Sequence, residues 1–169
     1  MGSAPLDAVR QSFNMLNISP AAPDSALSTT FTHRNLPRLL LQARESVMVH
    51  TRPSLREHGL SDQQWRVLRV LGEHGTVETG RVAREAYILG PSLTGVLARM
   101  ERDGLVRRER DAEDQRRTVV EATAKGRKMV ERLQDTVESH YRWLEQSLGK
   151  QKLLQLYELL DELIALEHP

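Results

Sequence analysis

Arginine is the residue type whose clustering points most directly to a chemical role in this sequence. Nine arginines and no lysine lie between residues 81 and 117, at positions 81, 84, 99, 102, 107, 108, 110, 116 and 117. The planar guanidinium group binds phosphate through paired hydrogen bonds and fits a narrow minor groove of DNA. Because seven acidic residues share the stretch, its net charge is only +2, and an ordinary solvated face is the alternative interpretation.

Within this stretch, one face of a predicted helix is a candidate for contact with DNA bases. The candidates on this face are Pro91, Ser92, Thr94, Gly95 and Arg99. Apart from the arginine these side chains are short, so the helix backbone could lie deep in a major groove. The alternative for the serine and the threonine is that they cap the helix.

A polar segment further along the chain is the second candidate. Asp114 precedes Arg116 by two residues and could hold its guanidinium group or the turn. Arg116 or Arg117 is then left to enter a minor groove. Since Arg117 begins the returning strand, a phosphate contact or a structural ion pair with Asp114 is expected for it.

One arginine interrupts an apolar helical stripe and is a candidate for binding a small anion. Arg44 lies between Leu40 and Val47, where a hydrophobic residue is expected. A charge there needs an anionic partner or solvent, because an unpaired buried charge is costly. We expect Arg44 either to form a structural salt bridge or to bind the carboxylate of an aromatic acid.

Three further residues could complete such a ligand site. Trp65 could stack on an aromatic ring, although a core tryptophan is the alternative. Arg38 and His33 are weaker candidates for binding a phenol or a second carboxylate oxygen.

Composition excludes several classes of protein. The chain has 169 residues, a net charge of +1 and no cysteine, so disulfides, thiol catalysis and thiolate metal sites are excluded. Its six histidines are scattered, and no catalytic or phosphate-binding motif is present. We therefore expect no enzyme, no metal and no cofactor. No apolar run has the length of a membrane span and no signal peptide is evident, so a soluble cytoplasmic protein is expected.

The elements that must position these residues can be read from hydrophobic periodicity. Residues 1–28 are predicted to be a flexible tail. Pro53 is expected to kink or end the last turn of the first helix, and Gly59 to stop the helix. Four helices, a two-stranded hairpin and two more helices follow in order, a mainly α fold with a small β-wing. The pattern predicts a winged helix-turn-helix lobe over 59–122.

The terminal helices carry more leucine than one small domain can bury. We therefore assign 29–58 and 123–169 to a helical dimerisation region. The residues placed in an obligate interface are Leu40, Leu144, Leu160, Leu163 and Ile164. A monomeric helical bundle is the alternative.

Three motifs resemble those of the MarR family of transcriptional regulators. The run from Pro91 to Val106 resembles that family's recognition helix and first wing strand. The segment Asp114-Gln115-Arg116-Arg117 resembles its Asp-x-Arg wing signature, and Leu60 to Trp65 resembles the entry to its second helix. The segments 40–45 and 91–95 also resemble the branch that represses aromatic-acid degradation operons, the homoprotocatechuate repressor type.

The resemblance implies a homodimer with two winged helix-turn-helix lobes that binds a pseudo-palindromic operator and silences the gene. It implies release by a small phenolic or aromatic carboxylate bound in a cleft between the dimerisation arm and the DNA-binding lobe. Arg116 is favoured for the minor groove by its place in the motif. Gly95 departs from many members, which have a long polar residue there, so base contact at this position is in question. A helical dimer that binds another protein and not DNA is the alternative function.

Overall fold

The computed structural model describes residues 32–111 and 114–166, and the tail predicted over 1–28 lies outside them. Within the described residues the fold is mainly helical with one small antiparallel sheet, as the sequence predicted. The elements are α1 (Leu36–Glu57), α2 (Asp62–His74), β1 (Val77–Glu78), α3 (Thr79–Glu85), α4 (Gly90–Arg102), β2 (Val106–Arg110), β3 (Thr118–Ala122), α5 (Ala124–Leu148) and α6 (Lys150–Ile164). None of these helices is long and apolar enough to cross a membrane.

The first helix ends just before the glycine that was expected to stop it. Pro53 was expected to kink or end its last turn, and it does not end the helix, which continues to Glu57. A proline removes one backbone hydrogen bond, and the burial of Leu55, which is 1% exposed, keeps the last turn packed despite that loss. The helix then ends at Gly59, whose φ of +70° is the left-handed conformation that favours glycine.

The sheet contains one more strand than the predicted hairpin. The two predicted strands, β2 and β3, pair antiparallel with Val106 opposite Ala122. A third strand, β1, pairs with the outer edge of β3, with Val77 opposite Val120. This strand has only two residues, too few to show an alternating pattern in the sequence.

Two compact units divide the described chain. Residues 50–111 and 114–138 form one unit, which contains the whole predicted winged helix-turn-helix lobe. Its core includes Leu68, Val82, Leu97, Met100 and Val120, each at most 1% exposed. Residues 32–49 and 139–166 form the other unit, so α1 and α5 each contribute to both units. The narrower domain bounds predicted from the sequence stay a prediction.

Candidate nucleic-acid interface

Helix α4 is anchored by one fully buried face. Leu93, Val96, Leu97 and Met100 recur at helical spacing and are each at most 1% exposed. Pro91 lies in the first turn, where its missing N–H has no intrahelical role. The chain leaves the helix at Gly104, whose φ is +70°. Because the buried face fixes the rotation of the helix, the opposite face is held towards solvent.

The solvent face of α4 carries the short side chains predicted from the sequence. Pro91, Ser92, Thr94 and Arg99 are exposed and Gly95 is half-buried. Neither Ser92 nor Thr94 caps the helix, since the N-cap residue is Leu89 and makes no side-chain cap. The Thr94 hydroxyl instead donates to the carbonyl of Gly90 at 3.3 Å.

Gly95 leaves space that an arginine occupies. A Cβ atom built on Gly95 would lie 3.7 Å from Nη1 of Arg99, one helical turn further along. The guanidinium group of Arg99 therefore lies close to the backbone at residue 95. A positive charge thus lies beside the one position of this face that has no side chain.

A network of hydrogen bonds shapes the tip of the wing around Asp114. Its Oδ1 accepts from the backbone N–H of Arg116 at 3.0 Å, and its own N–H donates to Asp111 Oδ1 at 3.0 Å. Its Oδ2 lies 3.4 Å from Nε of Arg117. The aspartate therefore holds the turn and forms an ion pair with Arg117, one of the two roles expected for that arginine.

Arg116 differs from its neighbour Arg117 in having no carboxylate partner among residues 32–111 and 114–166. In the described part of the chain its guanidinium group makes no hydrogen bond or ion pair. Three other arginines of the 81–117 stretch also lack a carboxylate partner among the described residues, namely Arg84, Arg99 and Arg110. We call these four residues the unneutralised arginines. The remaining five form ion pairs with acidic side chains, at positions 81, 102, 107, 108 and 117.

The helix and the wing meet at a shared hollow. It has a volume of about 360 Å³, and its lining includes Thr94 of α4 together with Arg108, Arg116 and Arg117 of the wing. The structure thus brings two of the predicted wing residues next to one residue of the predicted helix face. One continuous surface combines short side chains with guanidinium groups.

Arg108, which lines this hollow, also forms an ion pair with helix α4. Arg108 on β2 donates through Nε to Oε2 of Glu101 on α4 at 3.0 Å. The hydrogen bond from Arg108 is the largest cause of the lowered pKa of the Glu101 carboxyl group. This contact joins the last turn of α4 to the first wing strand.

The residues predicted to bind a small aromatic acid lie in both units. Arg44, Arg38 and His33 belong to the unit that contains 32–49, and all three are exposed. Arg44 has an anionic partner, since its Nη1 lies 2.9 Å from Oε1 of Glu45. The salt-bridge alternative for Arg44 is therefore present in the structure.

Trp65 belongs to the other unit and has a cationic neighbour that the sequence analysis did not single out. The indole is 7% exposed, and the Arg69 guanidinium carbon lies 6.0 Å from the ring centroid. Arg69 also bonds to Glu73 at 3.2 Å. The spacing of four residues from Trp65 was the available signal, because such residues are neighbours on a helix. Among the described residues no group of acidic or histidine side chains could hold a metal ion.

Comparison with known proteins matches the chain to one family along most of its length. The MarR family model matches residues 58–117. The homoprotocatechuate degradative operon repressor of Escherichia coli is 44% identical over 134 residues, which cover 79% of this chain and 90% of that protein. The three motifs singled out in the sequence lie within or next to the stretch that the family model matches.

Two solved structures share the fold. The crystal structure of NadR in complex with 4-hydroxyphenylacetate has a TM-score of 0.75 and 42% identity, covering 83% of this chain and all of that one. CouR, a transcriptional repressor solved bound to a 23-mer DNA duplex, has a TM-score of 0.71 and 25% identity, covering 83% of this chain and 99% of that one. From the motifs, the fold and these similarities together, the chain belongs to the MarR family of transcriptional regulators.

Proposed function

We propose that the protein is a homodimeric repressor that binds an inverted-repeat operator and is released by a small aromatic carboxylate or phenol. One observation carries the DNA-binding part: the unneutralised Arg116 and Thr94 of the short-side-chain face of α4 border the same hollow. Binding, not catalysis, is the proposed role, in keeping with the transcriptional regulators that the chain resembles. Because it acts on the chromosome, we place it in the cytoplasm.

In this proposal helix α4 and the wing contact different grooves of the DNA. Helix α4 would enter the major groove, where Ser92, Thr94 and Gly95 allow the backbone to come close to base edges. Arg116 would enter the adjacent minor groove, since no carboxylate in the described chain competes for its charge. Arg117 would stabilise the turn through Asp114, and Arg99 would bind phosphate or a base edge beside Gly95.

The proposal of a homodimer rests on apolar surface concentrated in one unit. Of the fifteen large hydrophobic residues that are exposed in the described chain, thirteen lie in residues 32–49 and 139–166. Among the predicted interface residues Leu40 and Ile164 are exposed, and Leu144, Leu160 and Leu163 are half-buried. A patch of this extent on a monomer marks an interaction surface, and a second copy is the partner proposed. Obligate interfaces of this kind bury roughly 2,000 Å² or more.

The effector proposal rests on chemistry within the chain and on two relatives. NadR is solved with 4-hydroxyphenylacetate, and the Escherichia coli relative is a repressor of a homoprotocatechuate degradative operon. An aromatic acid requires a surface that stacks on its ring and a cation for its carboxylate. Arg69, whose guanidinium group lies over the Trp65 ring, and Arg44 are the candidate cations. The Trp65 indole itself is 7% exposed, as expected of a core tryptophan, so only its edge could contact an aromatic ring. Arg38 and His33 stay candidates for a phenol or a second carboxylate oxygen.

The effector proposal is tested by titrating the protein–operator complex with hydroxylated benzoic, phenylacetic and pyridine carboxylic acids. At least one compound is expected to release the DNA, because it prefers a conformation of the dimer that does not match the operator. Arg69→Ala and Arg44→Ala are then compared at equal dimer concentration. The variant that loses the response identifies the arginine that binds the carboxylate. If both respond at the concentration of the parent, neither arginine binds the effector.

The DNA-binding proposal is tested by a gel shift at physiological salt with the DNA upstream of the protein's own gene. A shift that survives excess non-specific competitor DNA is expected, and footprinting then delimits the operator. A dimer that shifts no DNA at any salt concentration would favour the alternative, a helical dimer that binds another protein.

A further inference from the structure

The turn between α3 and α4 contains a tyrosine in an unusual backbone conformation. Tyr87 has a φ of +49° and is the only non-glycine residue of the described chain with a positive φ. Bulky side chains rarely adopt this left-handed conformation, which strains the backbone where glycine would fit freely. Such strain persists only where the surrounding structure enforces it, and it is concentrated at functional sites.

Two sets of contacts hold this conformation. The Ile88 N–H donates to the carbonyl of Ala83 at 3.0 Å, which closes the end of α3 around a left-handed residue, and Arg66 on α2 binds the carbonyls of the turn. The Nη1 of Arg66 donates to the carbonyl oxygen of Ala86 at 2.6 Å and to that of Tyr87 at 3.0 Å. The guanidinium group of Arg66 therefore binds two consecutive peptide carbonyls, and the first of them lies twenty residues later in the chain. The two carbonyls must point in the same direction to reach it, which fixes the backbone on both sides of Tyr87.

The side chains of the turn alternate between core and solvent. Ala86 and Ile88 are 1% and 6% exposed, whereas Tyr87 and Leu89 are 79% and 80% exposed. Packing does not account for the tyrosine, because its ring lies almost wholly in solvent. Its hydroxyl makes no hydrogen bond with any described residue. The result is a rigid backbone that presents one aromatic hydroxyl to solvent.

Tyr87 lies three residues before α4 begins at Gly90 and four before the predicted base-contacting face begins at Pro91. We propose that Tyr87 contacts DNA, with its hydroxyl donating a hydrogen bond to a backbone phosphate at the edge of the major groove, and that Arg66 is its positioning residue. The inference rests on the proposed operator binding. When the N-terminal residues of a recognition helix contact base edges, the preceding turn lies beside the phosphates that border the groove. Tyrosine hydroxyls are among the groups that bind phosphate oxygens and fix the register of a protein on the duplex.

The test is operator affinity measured for the full-length dimer at several salt concentrations. Tyr87→Phe removes only the hydroxyl and is expected to weaken binding by about ten-fold, equivalent to ~1.4 kcal/mol. The slope of log affinity against log salt should not change, because a neutral group releases no counterion. Leu89→Ala is the matched control, since Leu89 is equally exposed but has no hydrogen-bonding side chain, and its affinity should stay within about two-fold of the parent.

A second variant separates the role of the side chain from backbone strain. Tyr87→Gly is expected to be at least as stable as the parent, since glycine adopts a φ of +49° without strain, yet to bind the operator as weakly as Tyr87→Phe or more so. Tyr87→Phe binding as tightly as the parent would overturn the inference. If the parent protein itself binds no DNA, that result contradicts the proposed operator binding, on which this contact rests.

The positioning role of Arg66 is tested with a double-mutant cycle. Arg66→Met removes both carbonyl contacts, so the further change Tyr87→Phe should then cost less affinity than it does in the parent. Equal costs in the two backgrounds would show that Arg66 does not position the tyrosine. If Arg66→Met does not fold, the same comparison is made with Arg66→Lys, which keeps one charged donor.

Discussion

Arg108 and Glu101 form an ion pair that joins the wing to the recognition helix. The Arg108 side chain donates to Glu101 Oε2 through Nε at 3.0 Å and through a second guanidinium nitrogen. The carboxylate comes from the last turn of α4 and the arginine from β2. This contact neutralises Arg108 and fixes the wing relative to α4, while Arg116 keeps its charge for an external partner.

The ion pair should make a small, pH-dependent contribution to stability. We expect Glu101→Gln to lower the free energy of unfolding at pH 7 by less than about 1 kcal/mol, because the pair is partly exposed. The folded-state pKa of Glu101 lies below its ordinary value of 4.5, so the contribution is complete above that pH and is lost as the pH falls through the lowered pKa. Urea denaturation at pH 7 and at lower pH measures the difference between variant and parent.

The control for this prediction is Glu109→Gln. Glu109 pairs with Arg107 within one strand, and both side chains are more than half exposed. The Glu109–Arg107 pair does not join two elements, so Glu109→Gln should lower the free energy of unfolding less than Glu101→Gln does. A Glu101→Gln variant that differs from the parent equally at all pH values would argue against a lowered pKa.

Gly126 is the glycine whose replacement should damage the DNA-binding unit. A Cβ there would collide with the carbonyl oxygen of Leu105, and it would lie 3.2 Å from the carbonyl carbon. That oxygen accepts the N–H of Thr123 at 3.0 Å, so it cannot move freely. We expect Gly126→Ala to lower the free energy of unfolding by about 1–3 kcal/mol, the cost typical of overpacking.

Gly72 provides the opposite control, since a Cβ there would meet no atom within 4 Å and the residue lies inside α2. Gly72→Ala should raise stability by about 0.5–1 kcal/mol. Both variants are measured by urea denaturation at one fixed protomer concentration, because dimer stability depends on concentration. Equal effects of the two substitutions would contradict the packing around Leu105.

Arg116 should contribute more to operator binding than an exposed arginine that is already paired. We expect Arg116→Ala to lower affinity by about 1–3 kcal/mol and to weaken a preference for A/T pairs in the minor groove. Arg102→Ala is the matched control, because Arg102 pairs with Asp103 at 3.2 Å and is 72% exposed. Fluorescence anisotropy at physiological salt measures both variants. Parent-like affinity of Arg116→Ala would show that the wing assignment is wrong.

Ile164 should be required for assembly but not for the packing of a single chain. It is 70% exposed at the end of α6, so Ile164→Glu should not disturb the packing within one chain but should place a charge in the proposed interface. Sedimentation equilibrium is expected to show dissociation or loss of folding at micromolar concentration. Leu89→Glu, at 80% exposure in the other unit, should stay dimeric. A folded parent monomer at that concentration would rule out an obligate dimer.

Much of the fold could be predicted from local sequence signals. The spacing of Ser61 and Gln64 is that of a capping box, and the structure contains both of its hydrogen bonds. Gly59 and Gly104 end helices in left-handed conformations. The apolar spacing of Leu93, Val96, Leu97 and Met100 correctly predicted the buried face of α4. These signals depend on residues close together in the chain, so a single sequence contains them.

The features that the sequence did not reveal depend on distant residues. Strand β1 exists because Val77 pairs with Val120, and α1 continues past Pro53 because Leu55 is buried in the folded unit. The sequence also did not show which arginines are paired and which are unneutralised, since Arg108 and its partner Glu101 lie on different elements. Arg66 and the Tyr87 carbonyl that it binds lie twenty-one residues apart.

The salt dependence of operator binding by the parent dimer tests the central claim most directly. Each chain has four unneutralised arginines in the 81–117 stretch of the described residues, so a dimer has eight. If all of them contact phosphates or the minor groove, log affinity should fall linearly with log salt with a slope of about −7. A slope near zero, or no operator binding at low salt, would contradict the account.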